Sequence, residues 1–424
     1  MQTIKYPTKT DWQTILTRPT FDNSTLFETV QTVLNDIKVR GDEAIKEYGL
    51  KFDKVQLSDL QVSQNEITEA EKLISEELKS AILLAKSNIE KFHAAQQYNL
   101  PKVETMPGVT CWQKAVAIEK VGLYIPGGTA PLFSTVLMLA IPAQIAGCKE
   151  IVLCSPPNRE GKIHPAVLYA AQVSGVTKIY KIGGIQAIGA MAYGTESVPR
   201  MYKIFGPGNQ YVTAAKQLVS LRDVAIDMPA GPSEVEVMAD ETANPAFVAA
   251  DLLSQAEHGI DSQSILITTS EELAQKTIEQ VAIQVEQLPR ADLAKKALEH
   301  SKIIIVKDMD EAIAMTNEYA PEHLIISTEN YREIAEKITN AGSIFLGHFT
   351  PESAGDYASG TNHTLPTNGY AKTYSGVNLD SFTKKITFQE LTKEGLRNIG
   401  DAIEIMAENE LLTAHRNAVR LRRK

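Results

Sequence analysis

Short apolar runs alternate with helical segments over much of this chain, and that alternation restricts the possible folds more than any other feature of the sequence. Four runs have the length and apolar content of strands, at 115–124, 151–154, 178–182 and 202–205. Segments with helical spacing follow them, at 135–146, 165–174, 185–193 and 210–218. Short strands separated by helices pair in parallel, and the helices cover both faces of the sheet. We therefore predict a doubly wound parallel sheet in this stretch.

The same alternation returns after Met238, with strand-like runs near 264–268, 302–306, 323–327 and 343–346. A chain of 424 residues is too long for one ordinary hydrophobic core. We therefore predict an α/β protein with two Rossmann-like parallel-sheet units and helical N-terminal and C-terminal segments. The predicted division is an N-terminal segment at 1–23, a first α/β domain with its helical layer at 24–114 and 234–377, a second α/β domain at 115–233, and a C-terminal helical arm at 378–424.

Three glycine-rich turns follow predicted strands of the second domain: IPGG at 125–128, IGGIQ at 182–186 and GPGNQY at 206–211. In open α/β sheets, ligands bind outside the carboxyl ends of the strands, and a turn that opens a helix can bind phosphate. The third turn has Tyr211 where the dinucleotide fingerprint has Gly or Ala. Turns before helices also use glycine for backbone reasons alone. The spacing therefore leaves nucleotide binding and a purely structural role equally open.

The segment DLLSQAEHGIDSQS at 251–264 carries two possible metal ligands. Its apolar spacing predicts a helix whose last turn holds Gln255 and His258, with Gly259 ending it in the left-handed conformation. A lone His at a helix end is more often a cap or a surface residue. Four of the eight His residues, however, lie in polar, turn-flanked settings, at His258, His323, His363 and His415. Together they favour a metal-centred active site assembled from distant segments.

The composition excludes several classes of function. The formal net charge of −10 argues against a nucleic-acid surface, which requires a basic patch. No run approaches the roughly 20 apolar residues of a membrane helix, and the first residues lack the apolar core of a signal peptide. Cys111, Cys148 and Cys154 form no CxxC pair and are expected in the core rather than as ligands. We predict a cytoplasmic protein.

Seven stretches of the chain resemble the signature blocks of the histidinol dehydrogenase family. They are VGLYIPGGTAPLFSTVLM at 121–138, KIFGPGNQYV at 203–212, DMPAGPSEV at 227–235, DLLSQAEHGIDSQS at 251–264, EYAPEHL at 318–324, SAGDYASGTNHTLPT at 353–367 and LTAHRNAV at 412–419. The blocks are long and occur in the family's order. GDEAI at 41–45 is compatible with the same family, so the resemblance covers essentially the whole chain.

The resemblance implies a zinc- and NAD-dependent oxidation of L-histidinol to L-histidine through L-histidinaldehyde, the last step of histidine biosynthesis. It implies that 115–233 is the NAD side, with contacts at Tyr124, Gln186 and Asn209. It implies one zinc ion per subunit, held by Gln255, His258, Asp356 and His415. It implies acid–base roles for Glu322 and His323, and substrate contacts from Ser233, Gln255, His258, His323, Asp356, His363, Glu410 and His415.

The chemistry of these residues is compatible with the implied roles. His and Asp are ordinary zinc ligands, whereas an amide oxygen is weak, and a site with few anionic ligands leaves the metal electrophilic. Such a metal can hold the imidazole and amine of histidinol and so orient the substrate. His323 titrates near neutrality and can take the hydroxyl proton. The adjacent Glu322 can activate the water that the second oxidation requires.

The assembly and the substrate leave alternatives open. The C-terminal arm must bury an apolar stripe (Leu396, Ile399, Ile403 and Met406), and the family precedent is an intertwined homodimer. We therefore predict that Glu410 and His415 complete the site of a neighbouring subunit. One alternative is another zinc- or NAD-dependent enzyme on this scaffold that oxidises a different amino alcohol. The other is a non-catalytic two-lobed binding protein in which the glycine turns bind an anion.

Overall fold

The computed structural model describes residues 1–19, 24–98, 100–127, 130–229 and 231–424, with only the backbone for Ser24 and Thr25. The strands of these ranges are β1 (Gln2–Lys5), β2 (Val103–Met106), β3 (Val109–Ala117), β4 (Lys120–Tyr124), β5 (Glu150–Ser155), β6 (Lys178–Lys181), β7 (Lys203–Phe205), β8 (Ala225–Ile226), β9 (Glu234–Ala239), β10 (Gln263–Thr268), β11 (Lys302–Ile305), β12 (His323–Ser327), β13 (Ser343–Leu346) and β14 (Thr383–Leu391).

The α-helices are α1 (Trp12–Ile15), α2 (Ser24–Arg40), α3 (Asp42–Tyr48), α4 (Gln64–Lys72), α5 (Glu76–Ala94), α6 (Phe133–Ala146), α7 (Pro165–Val173), α8 (Gly184–Tyr193), α9 (Gln210–Ser220), α10 (Pro245–Ala256), α11 (Glu271–Val285), α12 (Ala291–Glu299), α13 (Met309–Tyr319), α14 (Tyr331–Ala335), α15 (Glu352–Tyr357), α16 (Lys393–Asn409) and α17 (Thr413–Arg423). No helix in these ranges has the length and apolar character needed to cross a membrane.

Two parallel sheets confirm the predicted α/β class. The larger sheet has the strand order β1-β11-β10-β9-β12-β13, and the smaller has the order β6-β5-β4-β7-β8. In the larger sheet, α10, α11 and α12 cover one face, and α1, α13 and α14 cover the other. In the smaller sheet the order reverses between β4 and β7, the doubly wound arrangement that opens a crevice at the carboxyl ends of these strands.

The helical layer of residues 24–94 packs against the smaller sheet unit, which corrects its predicted place beside 234–377. Helices α4 and α5 share a core with α6 and α7, and α2 and α3 share a core with α8 and α9. The physical reason lies in α6, which is buried continuously from Ser134 to Ala143. A helix that is apolar all round needs cover on its outer side as well as its inner side. The exact domain boundaries remain a prediction.

A third sheet, which the sequence did not predict, joins the middle of the chain to its C-terminal part. It is antiparallel, with the order β14-β3-β2. The predicted boundary at residue 115 falls inside β3, and the predicted helical arm at 378–424 begins instead with strand β14 before α16 and α17. Phe388 of β14 lies opposite Trp112 of β3, and the two rings stack with centroids 5.3 Å apart. Such cross-strand aromatic pairs stabilise two-stranded pairing.

Candidate functional site

Both predicted acid–base residues and one predicted substrate contact lie at the amino edge of the larger sheet. His323 is the first residue of β12, and it pairs in register with Val235 of β9 and Ser343 of β13. Glu322 precedes it, and Ser233 precedes β9. Ser233 is half-buried, and its carbonyl accepts a hydrogen bond from the backbone N–H of Gln263. The site therefore lies at the strand starts of this sheet, opposite to the usual ligand edge of open α/β sheets.

Glu234 is the residue around which the two acid–base candidates are arranged. Its carbonyl lies 3.1 Å from His323 Nδ1, and its N–H donates to Glu322 Oε2 at 2.9 Å. Its own carboxylate accepts two hydrogen bonds from Arg18, at 2.6 and 2.8 Å, and one from the N–H of Asn368 at 2.6 Å. Because a carbonyl can only accept, Nδ1 of His323 carries the proton, and Nε2 presents a lone pair. Glu234 thus sets the tautomer that a general base requires.

The end of α10 brings in Gln255 and His258. Gln255 is fully buried, and neither atom of its side-chain amide has a hydrogen-bond partner in the described ranges. His258 lies two residues beyond the helix, which ends at Ala256, and its N–H bonds the carbonyl of Gln255 at 3.2 Å. The predicted left-handed termination at Gly259 is wrong, because the chain leaves α10 through this tighter turn and Gly259 keeps a negative φ.

Helix α15 adds Asp356 and a second carboxylate that the sequence did not single out, Glu352. Potential ligand atoms of His258, Glu352 and Asp356 lie within 4.8 Å of one another. Glu352 Oε1 also lies 3.6 Å from His323 Nδ1, and Asp356 Oδ1 lies 3.7 Å from His323 Nε2. A signal was present in the sequence, because Glu352 and Asp356 are four residues apart and therefore share one face of a helix. The surrounding glycine-rich sequence had the character of a loop.

His363 connects this edge to the smaller sheet unit. Its Nδ1 lies 3.0 Å from the carbonyl of Asp356, and its Nε2 lies 3.1 Å from Oγ1 of Thr135 on α6. With Nδ1 protonated against the carbonyl, Nε2 accepts from the threonine hydroxyl. His363 therefore contacts both the larger and the smaller parallel-sheet unit.

Burial dominates the electrostatics of the site. Loss of water raises the pKa of Glu322, Glu352 and Asp356, and proximity of Asp356 raises that of Glu352 further. Loss of water also lowers the pKa of His323 to about 3 and that of His363 to about 4. His258 is exposed, yet the surrounding protein still lowers the pKa of its imidazole. Low local polarity thus keeps all three imidazoles neutral, the form that binds metals and accepts protons.

The donor set fits a zinc ion. Buried polar groups without partners are rare in folded proteins, so the open amide of Gln255 indicates a missing ligand. His323 Nε2 is likewise buried without a hydrogen-bond partner in the described residues. Neutral imidazole and carboxylate are ordinary zinc donors. His258 and Asp356 supply one of each, and Gln255 precedes His258 by three residues at the end of α10.

Glu410 and His415 do not lie in this group within one chain. Both are exposed, at the junction of α16 and α17. The group of possible metal ligands found in the described residues contains neither. The C-terminal helices also expose apolar side chains, including Met406 at 64% and Leu411 at 88%.

A separate cavity of about 890 Å³ opens at the carboxyl edge of the smaller sheet. Tyr124, Gln186 and Asn209, the three residues implied for NAD, all line it. The Tyr124 hydroxyl accepts a hydrogen bond from the N–H of Gly184 at 3.1 Å, and burial raises its pKa to about 12. Asn209 caps α9 through hydrogen bonds from two backbone N–H groups. Gly128 of the first glycine turn lies outside the described residues.

The glycine turn after β7 is fixed by a buried ion pair. Lys216 Nζ lies 2.5 Å from Asp227 Oδ1, and both side chains are almost fully buried. Lys216 also donates to the carbonyl of Gly206 at 2.8 Å, and the N–H of Gly206 donates to Asp227 at 2.9 Å. A Cβ at position 206 would lie 2.1 Å from the carbonyl oxygen of Tyr124. Glycine is therefore required where β4 and β7 diverge, at the crevice of the doubly wound sheet.

Comparisons with known proteins agree on one family. The model of the histidinol dehydrogenase family matches residues 16–423. The chain is 69% identical over 422 residues to a histidinol dehydrogenase of Bacteroides thetaiotaomicron, covering 100% of this chain and 99% of that protein. It is 55% identical over 411 residues to the histidinol dehydrogenase of Escherichia coli strain K12, covering 96% of this chain and 94% of that protein.

A solved structure agrees with these sequence matches. The crystal structure of histidinol dehydrogenase from Elizabethkingia anophelis superimposes with a TM-score of 0.98 and is 59% identical in sequence. The match covers 100% of this chain and 98% of that one. With the family match spanning nearly every residue, the chain belongs to the histidinol dehydrogenase family.

Proposed function

We propose that this protein oxidises L-histidinol to L-histidine through L-histidinaldehyde, the last step of histidine biosynthesis, with zinc and two successive NAD molecules. The observation that carries the proposal is His323, with Nδ1 held by the carbonyl of Glu234 and Nε2 open beside Asp356. A binding protein would have no need for an imidazole fixed in the basic tautomer next to a buried carboxyl group. The cytoplasmic location stays a prediction from the sequence.

Two groups of this chain move protons in the proposed reaction. When bound, zinc supplies an electrophilic anchor for the substrate's imidazole and amine, and NAD supplies the hydride acceptor. His323 Nε2 takes the hydroxyl proton as the first hydride leaves, which yields the aldehyde. His323 returns this proton to the aldehyde oxygen as water adds to the aldehyde carbon, and Glu322 takes a proton from that water and releases it to solvent, which leaves the diol and a neutral His323. His323 then takes the proton of the resulting diol as the second hydride leaves, which yields the carboxylic acid.

The proposed zinc ligands are Gln255, His258 and Asp356 of one chain with His415 of a second copy. The remaining proposed substrate contacts are Ser233, His323 and His363, with Glu410 of the second copy. Two observations support a shared site: Glu410 and His415 are exposed on an arm, and that arm carries exposed apolar side chains. Exchange of such an arm between identical chains buries its apolar side chains at low cost. We therefore propose a homodimer.

The proposed NAD site is the cavity that Tyr124, Gln186 and Asn209 line. Its position at the carboxyl ends of β4 and β7, where the strand order reverses, supports this assignment. The starts of α8 and α9 line this cavity, and the partly positive starts of these helices favour a pyrophosphate there.

The reaction is tested by its stoichiometry. Purified protein should form two NADH for each histidinol consumed. Removal of zinc with a chelator should abolish turnover while the circular dichroism spectrum stays unchanged, because both sheets have their own apolar cores. One NADH per histidinol would indicate an enzyme that stops at the aldehyde, and full activity without metal would reject the zinc dependence.

The shared site is tested by mixing two inactive variants, His258→Ala and His415→Ala, under conditions that allow subunits to exchange. About half of the dimers are then mixed, and each mixed dimer has one site with both lesions and one with neither. Activity should recover to about a quarter of the wild-type value. If subunits demonstrably exchange and activity does not recover, each site is built within one chain.

A further inference from the structure

The carboxylates around His323 outnumber the cationic side chains that neutralise them. Glu322 Oε2 and Glu352 Oε1 each lie 3.6 Å from His323 Nδ1, and Asp356 Oδ1 lies 3.7 Å from Nε2. Within the described ranges, no Lys or Arg forms an ion pair with any of these three carboxylates. A buried carboxylate without a cation is costly. Such groups are neutralised by a proton or by a bound cation, and the side chains around them supply no cation.

Glu352 has the weakest contacts of the three. Its side chain is only 1% exposed, and its Oε2 lies 3.5 Å from the hydroxyl of Ser254, at the outer limit of a hydrogen bond. Its Oε1 faces His323 Nδ1, whose proton already goes to the carbonyl of Glu234 at 3.1 Å. Neither oxygen therefore has a strong partner in the part of the chain that the structure describes. Ordinary packing gives no reason for a carboxylate here.

The geometry around Glu352 is that of a ligand group. One ligand atom from each of His258, Glu352 and Asp356 lies within 4.8 Å of the others. Glu352 and Asp356 share one face of α15, because they are four residues apart. An independent observation points to a bound group: His323 Nε2 is buried without a hydrogen-bond partner in the described residues and lies 3.7 Å from Asp356 Oδ1.

We propose that Glu352 is a metal ligand, and that His258, Glu352 and Asp356 hold a divalent cation within a single chain before His415 of a second copy reaches it. Two carboxylates and one imidazole are an ordinary donor set for zinc. Each chain then carries its metal before the dimer forms. The incoming imidazole of His415 takes the place of Glu352, and the four donors are then Gln255, His258, Asp356 and His415 of the second copy. The proposal rests on the proposed zinc dependence and adds to it a ligand and an order of assembly.

The experiment measures metal binding to full-length protein rather than activity. Metal-free wild type, His415→Ala, His415→Ala/Glu352→Gln and His415→Ala/Asp251→Asn are titrated with cobalt(II), and its visible absorption reports the ligands. Asp251 is the matched control, because it is a half-buried carboxylate near enough to raise the pKa of Glu352, yet it lies outside the ligand group. His415→Ala should bind about one cobalt per chain. Adding Glu352→Gln should weaken that binding by at least about 10–100-fold, whereas adding Asp251→Asn should change it far less.

Each further result has a definite reading. Equal cobalt affinity of His415→Ala with and without Glu352→Gln would overturn the proposal, and so would a His415→Ala chain that binds no metal while wild type does. A wild-type protein that binds no metal would instead reject the zinc dependence itself. If Glu352→Gln does not fold, Glu352→Asp keeps the charge on a shorter side chain. In the His415→Ala background, an absorption band unchanged by Glu352→Asp would also overturn the proposal.

Discussion

Because of Glu236, the free energy of unfolding of this protein should fall as the pH rises from 5 to 8. The residue lies in the middle of β9 with no exposed area. One carboxyl oxygen accepts a hydrogen bond from Thr316, and the other has no partner in the described residues. Burial raises the pKa of the Glu236 carboxyl from its ordinary 4.5 to about 8. The folded protein therefore keeps a proton that the unfolded chain has already released.

The sign and size of the effect follow from this difference. Between pH 4.5 and 8 the folded state binds the proton more tightly, so the free energy of unfolding falls as pH rises through this window. Each pKa unit of difference corresponds to about 1.4 kcal/mol, which gives about 4 kcal/mol lost by pH 8. Glu236→Gln mimics the protonated acid in shape and charge. The variant should match wild type near pH 5 and exceed its stability by about 4 kcal/mol at pH 8.

Urea unfolding at several pH values measures this difference. A Trp112→Phe background leaves Trp12 as the fluorescent reporter, and Trp12 packs in the same apolar cluster as Met238 of β9. The control is Glu241→Gln, which removes an exposed carboxylate shortly after the same strand. The control should leave the dependence on pH unchanged. Parallel stability curves for wild type and Glu236→Gln from pH 5 to 8 would refute the reasoning.

Three further substitutions test the site and the nucleotide turn. His323→Asn should lower kcat by about 10²–10⁴-fold while the KM for histidinol changes little, as steady-state kinetics will measure, because the residue is the general base and not the anchor. Glu322→Gln should slow oxidation of supplied histidinaldehyde more than oxidation of histidinol, and equal losses would reject a water-activating role. Lys216→Met should destabilise the fold by about 3–5 kcal/mol in denaturant unfolding, because it leaves Asp227 buried without its cation. Lys216→Met/Asp227→Asn should recover part of that loss, whereas additive losses would show that the pair is not coupled.

The sequence predicted the α/β units well because their signal is local. The alternation of strand and helix located β10 to β13 and β4 to β7 within a few residues, whereas β9 was not predicted. The third sheet was not predicted, because the pairing of Phe388 with Trp112 joins positions far apart in the chain. The packing partners of α2 to α5 were not predicted correctly for a related reason. An apolar stripe indicates that a helix is buried but not which element it packs against.

The candidate site was predicted in part. The signature blocks pointed to Glu322 and His323, and the structure places both at the start of β12. The role of Glu234 could not be seen, because it acts through its backbone N–H and carbonyl, which every residue has. Glu352 was not singled out, because the Gly-, Ser- and Thr-rich sequence around it indicated a loop, whereas the structure has the six-residue helix α15 there.

The candidate metal site lies at the amino edge of the larger sheet, and the nucleotide cavity lies at the carboxyl edge of the smaller sheet. This difference has an electrostatic consequence. Helix α10 ends at Ala256 beside the candidate metal site, whereas α8 and α9 begin at the wall of the nucleotide cavity. Aligned peptide dipoles make a helix start partly positive and a helix end partly negative. The metal site therefore attracts cations such as zinc and a substrate ammonium group, and the nucleotide cavity attracts phosphate. The two helix ends therefore favour opposite classes of ligand, and inorganic pyrophosphate should compete with the nucleotide and not with the amino alcohol.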